Sequence, residues 1–330
     1  MTHAVAACDS IVRRACGWGD YSARDLDEGC AFLEAVQQGC LVPPAVLPAV
    51  AQALRCCAFR LAIWNDHAHT VQALLDLYGA HWITASRPHE LLPLYEAAAY
   101  GATATVPVLL AAKAGLECQC QWKTPLGVAA RNGHADTVAV LLEAKAKLNG
   151  LAVDGPLKLA AQEGDVQVVA LLLKAKAQVN RWDGAGELAL CRATIAGHAD
   201  TVDLLVHEGA ADVDLANCSG LTPLRYAARN GHTRIVSIIL GAKANVNVTD
   251  TNGWTPLQVA VESSHAPANV AVLVQAKADV HAPNCRGFTA LSICRRRQVP
   301  GMLELLVNGQ PTAEARAPEE ARAPEEAGRP

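Results

Sequence analysis

The strongest constraint on this 330-residue chain is that it repeats itself. The segment Thr124-Pro125-Leu126-Gly127-Val128-Ala129-Ala130-Arg131-Asn132-Gly133-His134 returns as Thr222-Pro223-Leu224-Arg225-Tyr226-Ala227-Ala228-Arg229-Asn230-Gly231-His232. Weaker copies open at Leu92-Pro93-Leu94, Gly155-Pro156-Leu157, Leu188-Ala189-Leu190, Thr255-Pro256-Leu257 and Thr289-Ala290-Leu291. The proline or its equivalent falls at 93, 125, 156, 189, 223, 256 and 290, so the spacings are 32, 31, 33, 34, 33 and 34. A unit of that length holds one supersecondary element and cannot bury its apolar side alone, so neighbours must stack. Composition agrees. Ala supplies 63 of the 330 residues and aromatics only 4%, a core of small side chains suited to closely packed helices.

Each unit has one internal order. Thr-Pro predicts a helix start, because the hydroxyl accepts from a free first-turn N–H and Pro at the first helical position sacrifices no bond. Leu and paired Ala mark the packing side of a short first helix, and Gly-His marks the turn. A second helix carries apolar pairs such as Val138, Leu141 and Leu142, or Val169, Leu172 and Leu173. A Val/Leu-Asn element follows (Leu148-Asn149, Val179-Asn180, Val246-Asn247), then a polar hairpin leading to the next Thr-Pro.

These residues resemble the ankyrin repeat over roughly 85–310. The resemblance implies an all-α repeat solenoid of stacked helix-turn-helix units with short β-hairpin loops. A degraded unit precedes it at Leu61-Ala62, Asn65-Asp66-His67, Leu74-Leu75 and Gly79-Ala80, giving an array over 58–310. Residues 1–57 are expected to be a poorly defined helical segment, with at most a vestigial repeat at Leu33, Ala35 and Gly39. Residues 311–330 duplicate Ala-Arg-Ala-Pro-Glu-Glu, contain no large apolar residue, and are expected to be a disordered tail.

The chain departs from the family pattern in three places. The slot two residues after Pro, usually His, holds Tyr95, Gly127, Lys158, Cys191, Arg225, Gln258 and Ser292, which predicts loss of a bond to the Thr of each repeat. The Gly expected after helix two is Lys at 113, 145, 176, 243 and 277, with Gly209 expected to keep the usual residue. The link after Asn149 is short. The Lys row also predicts a solvated basic edge.

By resemblance, the groove formed by hairpins and first helices binds other proteins. The variable positions lie two, four and five residues before the Pro-equivalent and six and seven after it. They give Lys123, Arg131, Asn132, Gln162, Glu163, Glu187, Leu221, Arg229, Asn230, Trp254, Glu262, Arg286, Phe288, Arg296 and Arg297, with Trp182 at a hairpin tip. Trp and Arg are frequent interface hot spots. Trp182, Trp254 and Phe288 are expected to project from loops.

Other chemistry is weakly signalled. The net charge of −4 gives no basic field for nucleic acid, and no apolar run is long enough to span a membrane. The N-terminus lacks a signal-peptide pattern, and the twelve Cys fit a reducing compartment. The turn residues His67, His134, His198, His232 and His265 follow the repeat, so each belongs to its own unit. Cys118-x-Cys120 and His67-x-His69 are incomplete as metal sites. No phosphate-binding Gly loop, Gly-x-Ser-x-Gly elbow or His-Glu-x-x-His motif occurs. The expectation is a non-enzymatic, cofactor-free monomer of cytoplasm or nucleus that binds a protein. The alternatives are a recognition or regulatory arm of an enzyme complex (ubiquitin transfer or kinase signalling) and a metal or redox role for the Cys set. By resemblance, Asn149, Asn180 and Asn247 occupy hairpin positions open to hydroxylation.

Overall fold

The computed structural model describes residues 36, 38, 52–79, 92–118, 123–148, 155–182, 186–217, 219–263, 267–298 and 301–308. The vestige at Leu33, the Pro311–Pro330 tail, Cys120, Asn149 with the link after it, and His265 lie outside the described residues. The chain divides into two compact units, Met1–Gln178 and Val179–Pro330.

Unit 1 contains four helix pairs among the described residues: α1 Gln52–Trp64 with α2 Ala68–Tyr78, α3 Pro93–Tyr100 with α4 Thr105–Ala111, α5 Pro125–Arg131 with α6 Ala135–Glu143, and α7 Pro156–Glu163 with α8 Val166–Lys174. Unit 2 contains four more: α9 Ala189–Ala196 with α10 Ala199–His207, α11 Pro223–Asn230 with α12 Thr233–Gly241, α13 Pro256–Ser263 with α14 Pro267–Gln275, and α15 Ala290–Arg297 with α16 Met302–Asn308. Within each unit, first helices pack on the next first helix and second helices on the next second helix.

The paired alanines sit at these joints. Ala97-Ala98, Ala129-Ala130, Ala160-Ala161 and Ala227-Ala228 are wholly buried, and a side chain no larger than methyl lets first helices approach closely. Second helices contribute the bulk: Val138, Leu141, Val169 and Leu172 in unit 1, and Val202, Leu205, Val236 and Ile239 in unit 2 are fully buried. Leu142 and Leu173 are only half-buried.

The helix starts behave as the Thr-Pro signature predicts. Thr124 Oγ1 accepts from the Gly127 N–H at 3.1 Å, and Thr222 Oγ1 from the Arg225 N–H at 3.4 Å. The predicted loss at the His slot is offset in two repeats by another bond. Gln258 Oε1 accepts from the Thr255 N–H (3.1 Å), and Thr255 Oγ1 accepts in return from the Gln258 N–H (3.2 Å). Ser292 and Thr289 form the same reciprocal pair at 2.9 and 3.2 Å. Gln and Ser thus close a capping box, a different bond from the one His makes but one that satisfies two helix-start donors.

Two turn histidines, His134 and His232, reach the preceding repeat. His134 Nε2 lies 3.0 Å from the Ala99 carbonyl, so Nε2 carries the proton. Its ring covers Gly101, where a Cβ would stand 2.6 Å from Nδ1, and Gly101 also has φ of +73°. Gly there meets both a steric and a backbone demand. Lys113, Lys145, Lys176, Lys243 and Lys277 all hold the left-handed conformation after helix two, with φ between 63 and 66°. All five are exposed.

Gly209 is corrected: the left-handed residue of that repeat is Ala210, with φ of 49°. The reason is one extra residue at the helix end. Elsewhere the closing N–H reaches back five residues, as from Ala146 to Leu141, whereas here Ala211 reaches back six to Leu205.

The hairpins form no β-strand among the described residues. Three unit 2 hairpins shrink to turns held by two backbone bonds each: Asn217 N–H to Leu221, Asp250 to Trp254 and Asn284 to Phe288, at 3.2, 3.1 and 3.0 Å, and Gly220 N–H to Asn217, Gly253 to Asp250 and Gly287 to Asn284, at 2.9, 2.9 and 2.8 Å. The side chains of the same three residues hold the loop. Asn217 Oδ1 accepts from Ser219 and Leu221, Asp250 Oδ1 from Asn252 and Trp254, and Asn284 Oδ1 from Arg286 and Phe288, all between 2.8 and 3.0 Å. A local side-chain acceptor replaces a ladder.

Candidate docking face

Unit 2 carries an open cleft of about 340 Å³ lined by Arg225, Arg229, Trp254, Val259, Glu262, Ser263 and Arg297. Its geometry follows from the repeat. Arg225 and Arg229 are four residues apart on α11 and so share a helix face, as do Val259 and Ser263 on α13. Trp254 sits on the hairpin just before α13, where Asp250 fixes its backbone.

Two ion clusters frame the cleft. Arg225 Nη2 lies 2.7 Å from Asp250 Oδ2, with the two side chains only 14% and 2% exposed. Asp250 therefore gathers two loop N–H groups and one guanidinium in a buried position. Across the cleft a single carboxylate serves two cations: Arg297 Nη2 is 2.6 Å and Arg296 Nη2 3.3 Å from Glu262. Arg296 also lies over the Phe288 ring, 5.2 Å from its centroid. Arg229 is exposed and makes no ion pair among the described residues.

The predicted residues thus separate into groups. Arg229, Trp254, Glu262 and Arg297 line the cleft, and Arg296 and Phe288 stand beside it. Trp182 is 44% exposed, whereas Trp254 and Phe288 are half-buried. Arg286 is exposed on its hairpin, Leu221 is half-buried, and Asn230 Nδ2 donates to the Ile195 carbonyl at 3.3 Å. Glu187 is engaged internally: its Oε1 accepts from the Tyr226 hydroxyl at 3.1 Å and from Asn217 Nδ2 at 3.4 Å. Burial, then the Glu187 charge and hydrogen bond, push the Tyr226 hydroxyl up to about 12. Burial first, and Glu187 second, also push the Cys191 thiol up to about 12, which keeps it protonated and unreactive.

Lys123, Arg131, Asn132, Gln162 and Glu163 belong to unit 1. Lys123 is half-buried immediately before the α5 cap, and Gln162 is half-buried on α7. Arg131 and Glu163 form an exposed pair at 3.5 Å, and Asn132 Nδ2 donates to the Ala99 carbonyl at 2.7 Å.

Sequence reasoning missed Arg225, Val259 and Ser263 in the cleft. A signal for Arg225 existed. The hairpin position held by Asn at 217 and 284 is Asp at 250, and the His slot one repeat earlier is Arg: two exceptions that answer each other. It also missed an aromatic pair in unit 1. Tyr100, 52% exposed, packs against Trp64 with ring centroids 5.1 Å apart, and Arg60 lies 5.3 Å over the Trp64 ring. Tyr100 stands seven residues after Pro93, so the register that selected the other positions selects it too.

Among the described residues no three His, Cys, Asp or Glu side chains converge as a metal site, and no helix is long and apolar enough to cross a membrane.

The chain has relatives among known proteins. The chain is similar over 58 residues to a probable E3 ubiquitin-protein ligase XBOS33 of Oryza sativa subsp. japonica, at 41% identity. That stretch is 18% of this chain and 11% of the rice protein, so the chain matches only about a tenth of its relative's length. A family model for ankyrin repeats in three copies matches residues 59–152, 94–183, 157–250 and 226–315 in overlapping placements. With stacked helix pairs, capped Thr-Pro starts and Gly-His turns all in register with those matches, the chain belongs to the ankyrin repeat family.

Proposed function

We propose that this chain is a non-catalytic adaptor or scaffold that binds a partner protein on the hairpin and first-helix face, acting as a monomer in cytoplasm or nucleus. Ankyrin repeats are interaction modules, which supports a protein partner. The observation that carries the reading is the cleft at Trp254: a half-buried indole beside guanidinium groups, on a backbone already held by caps and side-chain-closed turns. A surface ordered before binding loses little conformational entropy when a partner docks.

A second reading makes the chain a recognition or regulatory arm of an enzyme complex. The similarity to a protein named as a probable ubiquitin ligase favours it, through a segment of only 58 residues. In either case the array supplies the docking surface.

The test is affinity purification from native extract with the wild-type chain beside a Trp182→Ala/Trp254→Ala/Phe288→Ala variant, with the circular dichroism melt of each. Partners retained by the wild type and lost by a variant of near-unchanged melt are expected. The same partners on both chains would overturn this face as the site.

A further inference from the structure

We infer that the unit 2 cleft takes an acidic peptide segment, Glu- or Asp-rich with one apolar side chain. Its carboxylates meet Arg229, Arg296 and Arg297, and its apolar group lies on Trp254 and Val259. The inference rests on the docking reading above and names the chemistry of the partner.

The accessible charge carries it. Asp250 is 2% exposed and already holds Arg225, so that pair presents little to a ligand. What remains at the surface of the cleft, among the described residues, is Arg229, Arg296 and Arg297 against Glu262, an excess of two positive charges. Arg229 makes no ion pair among the described residues, and the other two divide one carboxylate. A guanidinium offers five N–H donors, so all three keep donors for incoming carboxylates. This excess sits in a chain whose overall charge is −4, so it is a local feature and not part of a general basic surface. The floor is apolar at Trp254 and Val259, which demands a side chain as well as charge. A polyphosphate backbone fits less well, because it has no apolar group of its own to lay on Trp254 and Val259. The Arg296 and Arg297 side chains are 54% and 44% exposed, so the pairing acts in water and is weakened by salt.

The test uses the full chain and fluorescent peptides with the core Glu-Glu-Ala-Leu-Glu-Glu or Gln-Gln-Ala-Leu-Gln-Gln, read by anisotropy at low and high salt. The Glu peptide is expected to bind at least about tenfold more tightly than the Gln peptide, with the advantage shrinking as salt rises. Arg229→Glu is expected to weaken it about tenfold with no change in melt, since the side chain is exposed and makes no ion pair among the described residues. Equal binding of the two peptides, both weakened by Trp254→Ala, would overturn the acidic preference while leaving the docking reading intact. Failure of both peptides to bind would overturn the inference, and the co-purification experiment reports separately on docking itself. A single-stranded oligonucleotide that displaces the Glu peptide at lower concentration would overturn it in favour of nucleic acid. If a chain ending at Gln310 binds the Glu peptide about tenfold more tightly than the full chain, the site belongs to the chain's own Glu319-Glu320 and Glu325-Glu326 pairs, and a partner in trans is overturned.

Discussion

The two units are built from the same repeat, and the described atoms that join neighbours are partly shared and partly particular to each. In unit 2 the hairpins do much of the joining. Asn217, Asp250 and Asn284 each lock their own loop, and one loop bonds the next through Thr251 N–H to Ser219 and Cys285 N–H to Asn252, at 3.3 and 3.2 Å. In unit 1, among the described residues, ties run between helix ends, as Asn230 to Ile195 also does in unit 2, and between loops at Lys147 N–H to Glu117 Oε1, 2.7 Å. Asp66 accepts from the Ala104 and Thr105 N–H groups at 3.0 and 2.8 Å, capping α4 from the preceding repeat. Asn132 and His134 both reach the Ala99 carbonyl, and Thr103 meets Thr137 at 2.8 Å. A shared period prescribes the backbone course and leaves open which polar groups link one copy to the next.

The sharpest way to break the comparison uses ion pairs. Arg225–Asp250 in unit 2 is buried, whereas Arg131–Glu163 in unit 1 is 44% and 43% exposed. Asp250→Ala strands a buried guanidinium and two loop N–H groups, and is expected to cost about 3 kcal/mol in urea unfolding. Arg131→Ala is expected to cost less than about 0.5 kcal/mol, because water already screens that pair. Hydrogen exchange is expected to show lost protection in α11–α13 for the first variant and almost none for the second. Equal costs would mean that burial does not distinguish the two units.

Tyr226→Phe removes a donor to Glu187 and is expected to cost about 1 kcal/mol. The sign of its pH dependence follows from a folded value of about 12 against an ordinary 10. The stabilisation is complete below 10 and is lost as pH rises through 12, so the variant should lose less stability than the wild type over that range. Melts from neutral pH upward measure this.

The left-handed lysines sharpen what the units share. Lys113→Gly in unit 1 and Lys243→Gly in unit 2 each relieve a positive φ and are expected to stabilise by up to about 1 kcal/mol. A gain at one site alone would show that the two helix ends differ despite matching angles.

The smallest effect concerns Glu96, whose carboxyl is raised above its ordinary 4.5 chiefly by burial, with Arg60 opposing the rise. Folding then favours the protonated form, and this contribution disappears as pH rises through the folded value. Glu96→Gln is expected to compare better with the wild type at pH 8 than at pH 4 in thermal melts, modestly, since Arg60 Nε still lies 3.1 Å away in the wild type.

Much of this was legible beforehand. The Thr-Pro starts, the buried Ala pairs and the strained lysines follow from local chemistry repeated at a steady interval. The Gly209 expectation failed because counting from the Pro-equivalent assumes a helix end of constant length, and one extra residue moved the left-handed position to Ala210. The His slot needed the structure, because Gln258 and Ser292 close a capping box, a different bond from the one His makes.

The sequence by itself determined the repeat, the helix pair within it and the side of each helix that packs, because these depend on intervals of a few residues and on local capping. Only the tertiary structure decided that Glu187 turns inward to Tyr226, that Arg225 is held by Asp250, and that Arg229, Trp254, Glu262 and Arg297 meet around one cleft. Those outcomes join residues of different repeats, and rotamer and burial choose among partners that spacing alone leaves equivalent.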